Sequence, residues 1–287
     1  MSRVHKPHRW QWLWLIPAAL LVWWPLWFLF MGALMSQEEL RLTIGPALGL
    51  GTGYTVWHLL PDWPTLESLL TLLLDTPQFF VMFWNSIGQS VAQGAGTLLV
   101  GAPAAWAISR LRFRGRSMVR GLYIVLMLLP FQVTMVPSYL VLRQFGLLDT
   151  PWAIILPGIF STFPVFIMER GFDTVPREVL ESASIDGANQ WQRFWRIGIP
   201  LGIPGLISAL TLGFLDAWNA IEQPMTFLES PQYWPLSLFF TDPANLDTKQ
   251  LGLAMAASLW MLLPSILAFR FGQTYLEAGL TKGAVKG

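Results

Sequence analysis

The most specific spacing in the sequence lies between Val175 and Pro200. The residues it brings into register, Glu181, Ser182, Ala183, Asp186, Gly187, Ile197 and Pro200, suit docking rather than bond chemistry. Pro176 fits the first turn of a helix, and Gly187 can take the positive φ that ends one, so a short helix, a tight turn and a second helix are expected here. Ser182, Ala183, Ser184, Gly187 and Ala188 keep such a knob narrow enough to enter a cleft. Glu181 supplies one charged anchor for an arginine or for backbone donors. A plain connecting turn is the alternative that spacing alone leaves open.

Few other residues are placed for chemistry. Asp216 is almost the only carboxylate within an apolar run, where an ionisable group is costly and is a functional candidate by default. Trp218 and Asn219 beside it pair an aromatic face with a hydrogen-bonding amide, as sugar sites do, and are solute-path candidates. Gln132 and Thr134, between Pro130 and Pro137, lie beside carbonyls that proline frees. They are candidates for lining a pore, with a helix–helix hydrogen bond as the alternative. His5, His8 and His58 are too scattered for a metal site, and with no cysteine there is neither a disulfide nor a thiolate nucleophile. Gly49-Leu50-Gly51-Thr52-Gly53 has no strand before it and no Lys-Ser/Thr after it, so it is not a nucleotide loop. No catalytic residue, metal or cofactor is expected in this chain, and any energy for its work must come from a partner.

The elements that must position these residues follow from composition. The 287 residues are 54% hydrophobic and 12% charged, with mean hydropathy +0.49, too few charges to solvate a globular surface. A net charge of +1 with no long basic run excludes nucleic acid as a partner. Crossing a bilayer takes roughly 20 apolar residues, and six stretches qualify, near 10–34, 83–109, 117–142, 151–172, 197–221 and 251–276. The first is too long for a signal-peptide core and no small-residue cleavage site follows it, so it is read as a retained anchor.

Lys and Arg set the orientation. With the N-terminus inside, 15 of the 18 fall in cytoplasmic segments, while ten carboxylates face out. Both termini are therefore expected in the cytoplasm. The cluster Arg110, Arg112, Arg114, Arg116 and Arg120 is expected to fix topology and meet lipid headgroups, with a contact to the energy-supplying partner as the alternative. Pro64 and Glu67 suit the first turn of a helix in the long external loop, and the prolines of 222–250 predict an irregular loop with short turns. Residues 1–80 are thus an anchor helix with an external loop, 81–276 a transmembrane core, and 277–287 a cytoplasmic tail.

The run Glu181-Ser182-Ala183, then Gly187, then Ile197-Gly198-Ile199-Pro200 resembles the EAA loop of binding-protein-dependent ABC importer permeases, with Ser182 in place of the more usual Ala. Pro64-Thr65-Leu66-Glu67, Asn85-Ser86, Arg110-Leu111-Arg112-Phe113-Arg114-Gly115, Gly146-Leu147-Leu148-Asp149-Thr150, Ala217-Trp218-Asn219 and the ending Gly279 to Gly287 resemble the MalG-like carbohydrate branch in order and spacing. Where that family has an acidic residue after Trp-Asn, this chain has Ala220, with Glu222 two positions later.

The resemblance implies an all-α integral membrane protein with six transmembrane helices, the type I ABC importer permease fold, and a cytoplasmic EAA coupling helix containing Glu181 to Gly187. It implies a transport subunit rather than an enzyme, working by alternating access in the bacterial inner membrane. Its expected partners are a second homologous permease, a homodimeric cytoplasmic ATPase that holds the ATP and Mg, a periplasmic or lipid-anchored solute-binding protein, membrane lipid and a sugar-like solute. It also implies that the tail, with Gly283, Lys286 and Gly287, reaches the ATPase. A di- or oligosaccharide is the expected cargo. A polyol, a glycoside osmolyte or glycerol-3-phosphate is the alternative, and an ion-coupled secondary transporter a more distant one.

Overall fold

The computed structural model describes residues 9–48, 54–56, 58–239 and 248–284. Among these the chain is helical, with connecting turns and no β-strand. The order is α1 (Arg9–Ala33), α2 (Gln37–Thr43), α3 (Glu67–Leu70), α4 (Pro77–Arg110), α5 (Arg116–Leu128), α6 (Phe131–Gln144), α7 (Trp152–Ile159), α8 (Thr162–Asp173), α9 (Arg177–Ile185), α10 (Gln190–Arg193), α11 (Ile199–Asn219), α12 (Glu222–Phe227) and α13 (Thr248–Ala284). Two compact units result, one from Met1–Phe80 with Phe240–Leu262, the other from Val81–Phe239 with Leu263–Gly287.

In the first unit, α1 is apolar on every side, and Trp14, Leu21 and Trp23 stand exposed. An apolar run exposed in this way belongs in hydrocarbon. Beyond it the Ser36 hydroxyl accepts the Glu39 N–H at 3.3 Å and starts α2. Met31, Met35, Leu40 and Leu251 form the unit's apolar cluster. Pro64 precedes the next helix rather than entering it. The Thr65 N–H is given to the Leu34 carbonyl (2.8 Å) and the Thr65 hydroxyl takes the Glu67 N–H (3.1 Å), so α3 opens only at Glu67.

In the second unit, Ala102, Ala105 and Trp106 of α4 pack with Val165, Met168 and Phe172 of α8, Leu206 and Ala209 of α11, and Phe194. The most extensive helix pairing is α8 with α11. It is close because Gly171 and Gly205 face each other: a Cβ on Gly171 would stand 2.6 Å from the Gly205 Cα. Small residues at a crossing let backbones approach where lipid gives helices little hydrophobic reason to associate.

The stretch expected as one span over 117–142 is broken. Helices α5 and α6 meet at 103°, because Pro130 lacks an N–H and its ring pushes Leu129 out of the helical region, to φ −74° and ψ 124°. Among the described residues five helices are long and apolar enough to cross a membrane, and the bent pair makes six if counted as one span. Over 222–239 the backbone is a short helix, α12, and two 3-10 turns at Pro231–Tyr233 and Leu236–Leu238.

Candidate functional site

The segment after α8 folds by local chemistry. Pro176 is extended (φ −62°, ψ 139°) and leads into α9. Gly187 takes φ +83°, a conformation natural to glycine. It lets the Ala188 N–H reach back to the Ala183 carbonyl at 2.9 Å, closing the helix end. Asn189 and Gln192 then cap α10 reciprocally, each side chain accepting the other's backbone N–H at 2.8 and 2.9 Å. Arg193 Nη1 donates to the Ser184 hydroxyl at 2.6 Å, fixing one helix against the other. Ile197 lies in the π-turn Phe194–Gly198, and Pro200 stands in the first turn of α11.

No residue of α9 is buried. Glu181, Ser182, Asp186 and Gly187 are exposed, Ala183 is half-covered, and Ile185 is 87% exposed at the tip. The base is the opposite. Phe194 is 2% exposed and meets Trp106 and Phe172 ring to ring, with centroids 5.8 and 6.2 Å away, and Leu180 packs on the same cluster. The result is a rigid knob, open at the tip and rooted among α4, α8 and α11. Ile185 was not singled out by sequence reasoning, although an apolar residue among Ser, Asp and Gly was the available signal.

Three of the five arginines expected at lipid headgroups turn inward. Arg110 gives its guanidinium to the carbonyls of Phe172 and Val175, the latter at 2.5 Å. These lie at the end of α8, where helix carbonyls lack intrahelical partners. Arg116 donates to the Ile108 carbonyl at 2.6 Å and the Ser109 carbonyl at 2.5 Å. Arg120 pairs with Glu169 through Nε and Oε1 at 2.5 Å and lies 3.5 Å from Asp173, which accepts the Ser109 hydroxyl at 2.7 Å. Arg112 and Arg114 remain exposed.

A cavity of about 600 Å³ opens within the second unit. Its polar lining is Gln93, Thr97, Thr134, Ser138, Ser161, Thr162, Asp216 and Gln223, and Phe131, Phe160, Phe163 and Phe227 contribute aromatic faces. Of the four solute-path candidates, Thr134 lines this cavity. Gln132 lies outside the lining and donates to both Glu222 oxygens at 2.8 and 2.7 Å. Trp218 is 1% exposed, stacked on Phe214 and edge-on to Phe83. Asn219 is exposed and caps the Leu215 carbonyl at 2.7 Å.

Asp149, at φ +54°, accepts the backbone N–H groups of Glu229 (2.9 Å) and Ser230 (2.7 Å) and the Ser230 hydroxyl (2.5 Å), tying two connections together. The Ser230 hydroxyl and backbone N–H hold its carboxyl below the usual aspartate value. In the first unit, donor atoms of Glu39, His58 and Asp62 lie within 4.8 Å of one another, a grouping that could converge on a metal ion. It joins one of the scattered histidines to two carboxylates that the spacing did not connect with it. Glu39 already accepts the Asp62 N–H at 2.8 Å, and His58 Nδ1 lies 3.6 Å from Asp62. Gly283 falls within α13, while Lys286 and Gly287 lie outside the described residues.

Long apolar helices, a cavity among them and an exposed helical knob define a polytopic α-helical membrane protein. The chain belongs to the binding-protein-dependent transport system inner membrane component family, whose pattern matches residues 97–282. It is 32% identical to the inner membrane ABC transporter permease protein YcjP of Escherichia coli (strain K12), over 80% of this chain and 83% of that one. It is 27% identical to the arabinooligosaccharides transport system permease protein AraQ of Halalkalibacterium halodurans, over 79% of this chain and 81% of the relative. In fold it matches a chain of a bacterial ABC transporter involved in the import of the acidic polysaccharide alginate, with TM-score 0.75 and 22% identity, over 95% of this chain and 99% of that one. The protein is thus a multi-pass inner-membrane component of a transport system.

Proposed function

We propose that this chain is a permease subunit of an ATP-driven, binding-protein-dependent importer that moves a sugar of di- or oligosaccharide size by alternating access. The observation that carries the reading is the knob: a nine-residue helix with no buried residue, rooted through Phe194 in the core that joins α4, α8 and α11. An exposed Ile185 among small residues, on a helix held rigidly at its base, supports a docking role. In the proposed complex Glu181, Ser182, Ala183, Asp186 and Gly187 enter a cleft of a separate homodimeric ATPase, which holds ATP and Mg, with Ile185 at the tip. Ile197 and Pro200 join the knob to α11. Gly283, Lys286 and Gly287 add a second contact to the ATPase.

A second permease completes the pathway, and a solute-binding protein delivers cargo from outside. Both termini are placed in the cytoplasm, in keeping with the Lys and Arg distribution. Arabinooligosaccharide transport, the function carried by AraQ's name, supports a saccharide cargo. The cavity of about 600 Å³ lies within the size range of small-molecule sites, roughly 300–1,000 Å³.

The test is affinity purification of the tagged chain in mild detergent, followed by ATPase and uptake assays. Co-purification of an ATPase and a second permease, with ATP hydrolysis stimulated by one loaded binding protein, is expected. Gly187→Pro cannot adopt φ +83°, and Glu181→Lys reverses the anchor charge. Both variants should insert normally yet lose ATP-linked uptake. Wild-type uptake by both would refute the coupling role.

A further inference from the structure

We infer that Asp216 is a solute-recognising carboxylate and that it restricts the pathway to uncharged, hydroxyl-rich solutes. The inference rests on the importer reading above and narrows its cargo.

Asp216 lies in the last turn of α11, within the apolar stretch 190–219, and its side chain lines the cavity. Among the described residues it has no hydrogen bond and no ion pair. Three other carboxylates near span ends are occupied: Glu169 by Arg120, Asp173 by Ser109, Glu222 by Gln132. Asp216 is exposed at this span end, so its carboxylate is open to a solute, and an ionisable group within a span is a candidate for a substrate or ion path. Asp216 is the single ionisable group in the lining, which includes no Lys or Arg. A second carboxylate, Glu222, sits next in sequence to the lining residue Gln223 and is bound by Gln132, which follows the lining residue Phe131.

The chemistry of that lining selects its occupant. An ionised carboxylate only accepts hydrogen bonds, so it needs a donor, and a sugar offers a hydroxyl at nearly every carbon. Gln93, Gln223 and Ser138 add groups that both give and accept, and the hydroxyls of Thr97 and Thr134, whose protons go to the Gly158 and Phe131 carbonyls, add acceptors. The phenylalanine rings suit the C–H faces of a pyranose or furanose. A phosphate or uronate would instead bring a second negative charge against Asp216, with no cation among this subunit's described lining residues to offset it. Even at the permittivity of bulk water that repulsion is about 1 kcal/mol at ~4 Å, roughly a fivefold loss of occupancy, and it grows as the solute displaces water. Glycerol-3-phosphate and oligouronates are thereby disfavoured.

The test uses the whole complex with its binding protein in ATP-loaded proteoliposomes. Uptake is measured for maltotriose and arabinotriose as neutral probes and for an alginate trisaccharide and glycerol-3-phosphate as anionic ones. The transported probe is expected to be neutral. Asp216→Asn should lower its uptake about tenfold and Asp216→Lys about a hundredfold, while Asp216→Glu keeps most of it. Stimulation of ATP hydrolysis by the loaded binding protein should be retained in all three variants, which separates a solute contact from loss of the fold. Uptake of an anionic probe as fast as a neutral one, or wild-type uptake by both Asp216→Asn and Asp216→Lys, would overturn the inference. A complex that binds no ATPase and moves none of the probes would instead overturn the importer reading beneath it.

Discussion

Replacing Arg120 by alanine should destabilise the second unit through a carboxylate it does not remove. Glu169 is 3% exposed, and Arg120 of α5 is its ion partner. Taking one member from a buried pair costs about 3–5 kcal/mol, because the other charge is left without water or partner. The Arg120 side chain is itself 36% exposed, so solvent already screens part of the attraction, and about 2 kcal/mol is the working value. That corresponds to roughly 4–8 °C of thermal midpoint for a unit of about this size. Glu169→Gln keeps an acceptor for Arg120 and should cost less, about 1 kcal/mol. Combining Arg120→Ala with Glu169→Leu should cost less than the sum of the two single changes, since no buried charge then remains unpaired. The assay is fluorescence-monitored thermal unfolding of the purified protein in one detergent at one ionic strength. An unchanged midpoint for Arg120→Ala, or strict additivity in the double variant, would refute the argument.

Three further outcomes follow from other contacts. Ile185→Asp changes a side chain that is 87% exposed, so it should leave the protein's own thermal midpoint within about 0.5 kcal/mol while weakening ATPase capture in a pull-down by about tenfold or more. Gly205→Val would drive a side chain into the Gly171 backbone and separate α8 from α11. Overpacking against backbone that cannot yield costs about 3 kcal/mol or more, measurable as a lower midpoint and lower membrane yield. Asp149→Asn should be less stable than the native protein at neutral pH, because the folded state lowers the Asp149 pKa from its ordinary 3.8. Stability from a depressed carboxyl is present above the unfolded value and is lost as pH falls through the folded one. The gap between native and Asp149→Asn midpoints should therefore close below about pH 4 and stay open at pH 7.

What could be read from the sequence is what the backbone decides locally. Pro176, Gly187 and Asn189 determine the knob by their own φ preferences and capping groups, so its helix–turn–helix form follows without any tertiary information. Pro130 was visible as a proline, but the 103° between α5 and α6 depends on how two amphipathic halves find their neighbours. The arginine cluster shows the limit most clearly. Charge counting explains a basic loop equally well whether its side chains meet lipid or protein. The partners of Arg120 and Arg110 lie 49 and 62 residues away in sequence, and only packing brings them near. Trp218 and Asp216 are two residues apart on a helix, so they point about 200° apart around its axis and cannot both face one cavity. Trp218 is buried between rings, and Asp216 takes the cavity.

The same helices carry both the knob and the cavity lining, and this bears on the proposed coupling. A force applied at Glu181 or Ile185 reaches α8 through Val175 and α11 through the turn containing Phe194. The backbone contact at Gly171 and Gly205 leaves these two helices little freedom to slide independently. Arg110 ties the end of α4 to the last carbonyls of α8, and Arg120 ties α5 to Glu169. Pro164 of α8 and Gly213 and Asp216 of α11 lie farther along the same two helices, in the cavity wall. A displacement of the knob that leaves the cavity unchanged would have to break the packing of Phe194 on Trp106 and Phe172 and the Arg110 contact with the Val175 carbonyl. Rigid-body movement of α8 with α11 breaks none of the contacts between them, and so costs less than local yielding. In the proposed importer, the shape of the cavity around Asp216 is therefore expected to follow the position of the knob.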